Sequence, residues 1–261
     1  MKASFPTATA LILGLALVLP SVAKAAELKV LAGGSIAGPL NELKAQFERD
    51  SGHKLTIHFD STPNLIKLVT SGGLLDHLTG RPPSFDLGVV PIDVFKDAAA
   101  KAKFAEPTIN IARVGYGVAV RAGAAKPDIS SPDALKQTLI KAQSIATLPA
   151  SAAGAYVLSV FERLGIGEAM KAKIKAQATP AAIPQAVANG EAELGVFLTN
   201  VLIAPGVELA GSFPAELQQE LLFTAAVAQA SKEADAAKAL ITFLRSPAAT
   251  AVIKAKGMNP G

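Results

Sequence analysis

Twice along this chain, short runs of strand character alternate with stretches of helical periodicity, and that order leaves few folds other than a sheet with helices on its faces. Residues 28–31 read as a strand, after which Ile36, Leu40, Leu43 and Phe47 recur at helical spacing up to Gly52. Residues 55–59 alternate as a second strand, 65–69 form a short helix, and 86–90 form a third strand. The same order returns with a strand at 144–148, a helix carrying Val157, Val160, Phe161 and Leu164 and stopped by Gly165, a helix at 183–188 closed by Gly190, and a strand at 193–197. Between the two units, the apolar run 114–120 is placed to cross from one lobe to the other, and residues 221–228 are placed to return. Ser231 is predicted to cap a helix carrying Leu240, Ile241 and Leu244, and Ser246-Pro247 to open a last helix that Gly257 ends. Residues 79–84, rich in Gly and Pro, read as a solvated loop. The expected architecture is α/β in two lobes, each a mostly parallel sheet flanked by helices, with two hinge crossings. Residues 26–113 and 226–261 are assigned to the first lobe and 114–225 to the second.

The N-terminus fixes the compartment in which any site is to be read. Lys2, an apolar stretch over residues 8–19 and the small-x-small triplet Ala23-Lys24-Ala25 have the form of an export signal over residues 1–25, so the mature chain is expected to begin at Ala26. No later segment reaches the ~20 apolar residues of a membrane-spanning helix. The chain has no cysteine, which removes disulfides, thiolate metal sites and a lipid anchor on a cysteine after the cleavage site. An exported, unanchored, cysteine-free chain fits a Gram-negative periplasm. Without Lys2 and Lys24 the balance is 23 basic against 21 acidic residues, the cations are scattered, and two Tyr with no Trp offer little for base stacking. A nucleic-acid partner is therefore not expected.

Four places put small hydroxyl or Gly residues between a strand end and a helix start: Gly33-Gly34-Ser35, Asp60-Ser61-Thr62-Pro63, residues 149–154 with Ala153 and Gly154, and Thr199-Asn200. In an open α/β sheet these are the carboxyl ends of strands, where ligands bind. Free N–H groups and the dipole of a helix's first turn hold an anion without a charged side chain, and the Ser35, Ser61 and Thr62 hydroxyls add short donors. Gly34 and Gly154 let the backbone approach closely. The competing role for each Ser or Thr is to cap its helix, worth about 1 kcal/mol.

Catalytic and metal patterns are weaker. Gly33-Gly34-Ser35-Ile36-Ala37 has Ala where a nucleophile elbow needs its second Gly. His58 and Ser61 form the one suggestive nucleophile–base pair, as an exported hydrolase or isomerase would use, although no orienting carboxylate is evident apart from the nearby Asp60. His53, His58 and His77 lack metal-ligand spacing, so neither a metal nor another cofactor is expected. The glycines around Tyr116 lack the third Gly of a dinucleotide fingerprint. Asp86 and Asp93 flank the third strand, and Arg81 or Arg113 can pair with a carboxylate ligand.

Several stretches together resemble the periplasmic molybdate-binding proteins of ABC transporters, which have the type II periplasmic binding fold. They are Gly33-Gly34-Ser35, Ser61-Thr62, residues 126–136, 161–166, 188–195, 205–209 and 213–217. The resemblance implies a solute receptor that closes around a small oxyanion, molybdate or tungstate, and delivers it to a membrane permease. It implies contacts from Ser35 and Ser61, with Thr62 as neighbour, and from Ala153 and Gly154 at the helix start of the second lobe. The tyrosine such proteins place after the strand at 193–197 has no match, since Thr199 and Asn200 follow that strand here. A small organic carboxylate is the alternative ligand, supported by that missing tyrosine and by Arg81. A monomer is the expectation for a hinged receptor.

Overall fold

The computed structural model describes residues 25–76 and 81–261, so the expected signal segment, apart from its last residue, lies outside the described residues, as do His77, Thr79 and Gly80. In chain order the elements are β1 (Glu27–Gly33), α1 (Ala37–Ser51), β2 (Lys54–Asp60), α2 (Thr62–Thr70), β3 (Leu74–Asp76), β4 (Arg81–Ser84), β5 (Leu87–Pro91), α3 (Ala98–Lys101), β6 (Ile109–Val114), β7 (Tyr116–Arg121), α4 (Pro132–Lys141) and β8 (Ile145–Thr147). They continue with α5 (Ala152–Arg163), α6 (Gly167–Lys171), β9 (Ile174–Ala176), α7 (Ala182–Ala188), β10 (Leu194–Leu198), α8 (Thr199–Leu202), β11 (Val207–Ser212), β12 (Leu221–Val227), α9 (Ala234–Leu244), α10 (Pro247–Ala255) and β13 (Asn259–Pro260).

The two lobes are two sheets. The first has the order β13-β6-β12-β5-β1-β2 and the second β11-β7-β10-β8-β9, while β3 and β4 form a small hairpin of their own. Parallel pairing follows the β-α-β order, in β2-β1-β5 and β9-β8-β10, because a helix must return the chain to the same end of the sheet. The strands at the crossings, β6, β7, β11 and β12, pair antiparallel with their neighbours, so each sheet is mixed. β5 and β10 are buried along their whole length, as central strands covered on both faces must be. In the first lobe, Leu28, Val30 and Ala32 pack in the core with residues of α1, α9 and α10, while Leu31 joins Leu65, Val69 and Val90 on the α2 and α3 side.

The crossings differ in detail from the sequence expectation. The run 114–120 is two strands broken at Gly115, β6 in the first sheet and β7 in the second. Residues 221–225, expected in the second lobe, lie in β12, which pairs with β5 and β6 throughout the first sheet. Its apolar side chains complete a core that a free crossing strand would leave exposed. The return crossing is the segment 213–220, with a 3-10 turn at Ala215–Leu217. Residues 81–84, expected in a loop, form β4 and pair with β3. Ser231 does not cap α9. Its hydroxyl donates to Asp86 Oδ1 at 2.7 Å, tying the start of the C-terminal helices to the third strand. Ser246 does cap α10, accepting the Ala249 N–H at 3.2 Å. Among the described residues no single helix is long and apolar enough to cross a membrane.

One side chain ties the two crossings together. Gln218 Oε1 accepts the Tyr116 N–H at 2.8 Å, and its Nε2 donates to the Tyr116 carbonyl at 3.0 Å. Replacing it by Ala takes the acceptor from the buried Tyr116 N–H, while the carbonyl keeps the Phe213 N–H, so Gln218→Ala should destabilise the fold by about 1–3 kcal/mol in urea unfolding.

Candidate functional site

Three strand-to-helix junctions meet at the seam between the lobes. Gly33, Gly34 and Ser35 follow β1, Asp60, Ser61 and Thr62 join β2 to α2, and Leu148, Ser151 and Ala153 join β8 to α5. Together with Pro91, Pro180, Leu221 and Phe223 they enclose a cavity of about 20 Å³, on the scale of one water. The lobes touch around it. Thr62, 7% exposed, accepts the Ala152 N–H of the opposite lobe on its Oγ1 at 3.2 Å, and Asn200 Nδ2 donates to the Ser35 carbonyl at 2.8 Å.

The glycines here are demanded by space. A Cβ on Gly33 would sit 2.8 Å from the Phe223 ring, one on Gly34 would sit 3.2 Å from Pro180 across the seam, and one on Gly154 would sit 1.8 Å from the Leu148 carbonyl oxygen. The backbone of each junction is thereby pressed against its neighbour, which keeps the cavity small.

Capping separates the hydroxyls that the sequence could not. Ser151 is fully employed, since its Oγ accepts the Gly154 N–H at 2.9 Å and donates to the Leu148 carbonyl at 2.8 Å. Ser61 occupies the N-cap of α2, yet its side chain makes no capping bond, and no side chain caps the turn that carries Ser35. Both serines bond to other described residues through backbone atoms, Ser61 through its N–H and Ser35 through its carbonyl. Their hydroxyls line the cavity with donors to spare.

Of the residues expected from sequence, the cavity thus brings together Gly34, Ser35, Ser61, Thr62 and Ala153. Gly154 is adjacent, but its N–H is spent on the cap. Thr199 is elsewhere: its N–H and hydroxyl both approach the Gly115 carbonyl at the first crossing, at 2.9 and 3.3 Å. Neither tyrosine replaces the missing one. Tyr156 donates its hydroxyl to the Leu217 carbonyl at 2.7 Å, and Tyr116 is buried, its phenol held well above the usual range by burial and then by Asp93. Arg113 is paired with Glu220 at 3.2 Å on the surface, and Asp86 accepts the Lys29 N–H at 2.9 Å, so both have structural work. The Arg81 side chain lies outside the described part of the chain.

Sequence reasoning placed Asp60 in the junction after the second strand and beside His58, without a role at the site. The structure puts its Oδ1 2.7 Å from the Ser61 N–H and 2.8 Å from Asn64 Nδ2, and its Oδ2 3.3 Å from His58 Nε2. Pro180 was missed because β9, the strand before it, is only three residues long and half exposed, too short to show alternation. Among the described residues that line the cavity, Asp60 is the one charged side chain.

The chain matches the model of the bacterial extracellular solute-binding protein family over residues 28–259. It belongs to that family. It is 32% identical to an aconitate isomerase of Pseudomonas sp over 263 residues, 98% of each chain, and 30% identical to the molybdate-binding protein ModA of Azotobacter vinelandii over 245 residues, 92% of each. The fold agrees with a solved Azotobacter vinelandii periplasmic molybdate-binding protein, with a TM-score of 0.69 at 21% identity, covering 88% of this chain and 98% of the other. The expected resemblance and the two-lobed architecture both hold.

Asp60 gives the junction a pH dependence. Partial burial opposes ionisation, but the Asn64 amide, the Ser61 N–H and His58 outweigh it and hold the carboxyl below its ordinary value of 3.8. Stabilisation from a depressed carboxyl is present above the ordinary value and is lost as pH falls through the lower, folded one. Asp60→Asn should therefore be less stable than the parent at neutral pH, with a constant gap down to about pH 5 that closes below pH 4, as urea unfolding at each pH will show.

Proposed function

We propose that this protein is a periplasmic receptor that closes its two lobes around a small oxyanion and hands it to the membrane permease of an ABC transporter. The observation that carries the reading is the pair of uncommitted hydroxyls, Ser35 and Ser61, lining one small cavity with the start of α5. Ser61 stands at an N-cap, where serine ordinarily spends its oxygen on the helix, and Ser35 lies in the 3-10 turn that leads into α1. With the Ala153 end of α5, they present neutral donors and helix dipoles in one small space. A tetrahedral anion with several acceptor oxygens suits that arrangement, and binding without a resident cation lets the ligand go when the lobes open. Kinship with a molybdate-binding protein puts molybdate and tungstate in the ligand panel, beside sulfate, phosphate and small carboxylates. An N-terminal sequence with the form of an export signal and membership of an extracellular family support the periplasmic setting.

A ligand that binds only the folded protein must raise its melting temperature. At least one tetrahedral oxyanion should do so with the mature protein, and Ser35→Ala with Ser61→Ala should weaken that ligand by about a hundredfold, taking about 1–1.5 kcal/mol for each lost bond. An unchanged affinity would remove both serines from the site.

The contact of His58 with Asp60, next to Ser61, favours a second reading. An imidazole paired with a carboxylate is an acid–base couple, and with the aconitate isomerase relative it supports a proton-transfer enzyme acting on a small carboxylate. In that case cis- or trans-aconitate in deuterated buffer should isomerise with deuterium incorporation, and His58→Gln should slow the reaction at least tenfold. Aconitate recovered without exchange or isomerisation would end this reading.

A further inference from the structure

Asp60 is out of place in a cavity built to bind anions with neutral donors. It stands at the end of β2, and its Oδ1 already accepts the Ser61 N–H, the amide at the N-cap of α2. The carboxylate is not free to withdraw. Asn64 holds the same oxygen from the first turn of α2, and His58 approaches the other oxygen. No lysine or arginine among the described lining residues offsets its charge.

An ionised carboxylate has lone pairs and no proton, so it can only accept hydrogen bonds. A fully deprotonated oxyanion such as sulfate or molybdate is likewise acceptor-only. Brought together in a small cavity, the two share no proton and repel. An oxyanion that keeps one O–H can give that proton to the carboxylate while its bare oxygens take the Ser35 and Ser61 hydroxyls and the start of α5. Exclusion by an unmatched acceptor is a stronger source of selectivity than small differences in size.

We propose that Asp60 sets which oxyanions this cavity accepts, favouring those that retain a proton, as hydrogen phosphate and phosphonates do, over fully deprotonated dianions such as sulfate, tungstate and molybdate. The assignment rests on the oxyanion reading above and narrows it.

The test is calorimetric titration at pH 7 of the mature protein and of Asp60→Asn with inorganic phosphate, methylphosphonate, sulfate and molybdate. Asn keeps an acceptor for the Ser61 N–H and removes the charge. The parent should bind phosphate or methylphosphonate at least about tenfold more tightly than sulfate and molybdate. In Asp60→Asn that ratio should shrink about tenfold as the bare dianions gain. Asp60→Ser provides the same comparison if Asp60→Asn does not fold, and the parent's ratio is decisive alone. Sulfate or molybdate binding as tightly as phosphate to the parent, or a ratio that the substitution leaves unchanged, would overturn the role of Asp60 and leave the oxyanion receptor standing. If none of the four binds, the receptor reading falls and this assignment falls with it.

Discussion

Everything that happens at the cavity depends on how two lobes are held at two crossings, and the Gln218 amide is the group that holds them. Buried backbone groups at the point where the chain passes from one sheet to another must be paired. Tyr116 opens β7 directly after the break at Gly115; Gln218 supplies an acceptor for its N–H and, beside the Phe213 N–H, a second donor for its carbonyl. Neighbouring bonds reinforce the tie: Tyr156 and Arg163 of α5 donate to the carbonyls of Leu217 and Glu216. Thr199, at the end of β10, donates its N–H to Gly115. Helix α5, whose first turn faces the cavity, is thus fixed to the hinge by its last turns.

The electrostatic character of the cavity follows from the same economy. A cation in the seam would hold an anion tightly but would also carry its own desolvation cost whenever the lobes shut. Helix N-termini impose less, because the partial charge belongs to backbone already ordered by the helix. Thr62 shows the principle at work inside the protein, lending its hydroxyl oxygen to the Ala152 N–H across the seam. Asp60 does the same for the Ser61 N–H, but with a full charge. The α2 side of the cavity is therefore partly neutralised from within, while the α1 and α5 sides retain their positive character.

The alternation of strands and helices was legible in the sequence wherever both faces of a strand are buried. The runs at β5 and β10 are apolar throughout, β1 is apolar from Leu28 onward apart from Lys29, and they carry the centre of each lobe. The edge strand β2 was legible from its alternation, but the short or bent edges were not. β9 spans three residues, and β11 bends at an irregularity near Leu209, so neither presents a period of two. β12 was seen, but its lobe was not, because an apolar strand has the same composition on either side of a hinge. At the cavity, residue types pointed to the right junctions, since Ser, Thr and Gly at strand ends are visible in one dimension. What sequence could not separate was capping from availability. Ser151 and Ser61 stand in equivalent places before their helices, and only the positions of Leu148 and Gly154 show that one hydroxyl is consumed while the other is not.

That distinction decides which residues carry information about the ligand. Gly33, Gly34 and Gly154 are the most conspicuous part of the pattern, yet each is accounted for by a steric limit, against Phe223, Pro180 and the Leu148 carbonyl respectively. These glycines therefore report how closely this seam is packed and not the chemistry of what it holds. The selective contacts are the ones packing does not require: the free hydroxyls of Ser35 and Ser61, and the carboxylate of Asp60 with His58 behind it. A site of neutral donors alone would suit any tetrahedral anion of the right radius. One fixed acceptor among those donors converts a test of size into a test of protonation, and the same acceptor, with an imidazole beside it, is the group from which proton-transfer chemistry would begin.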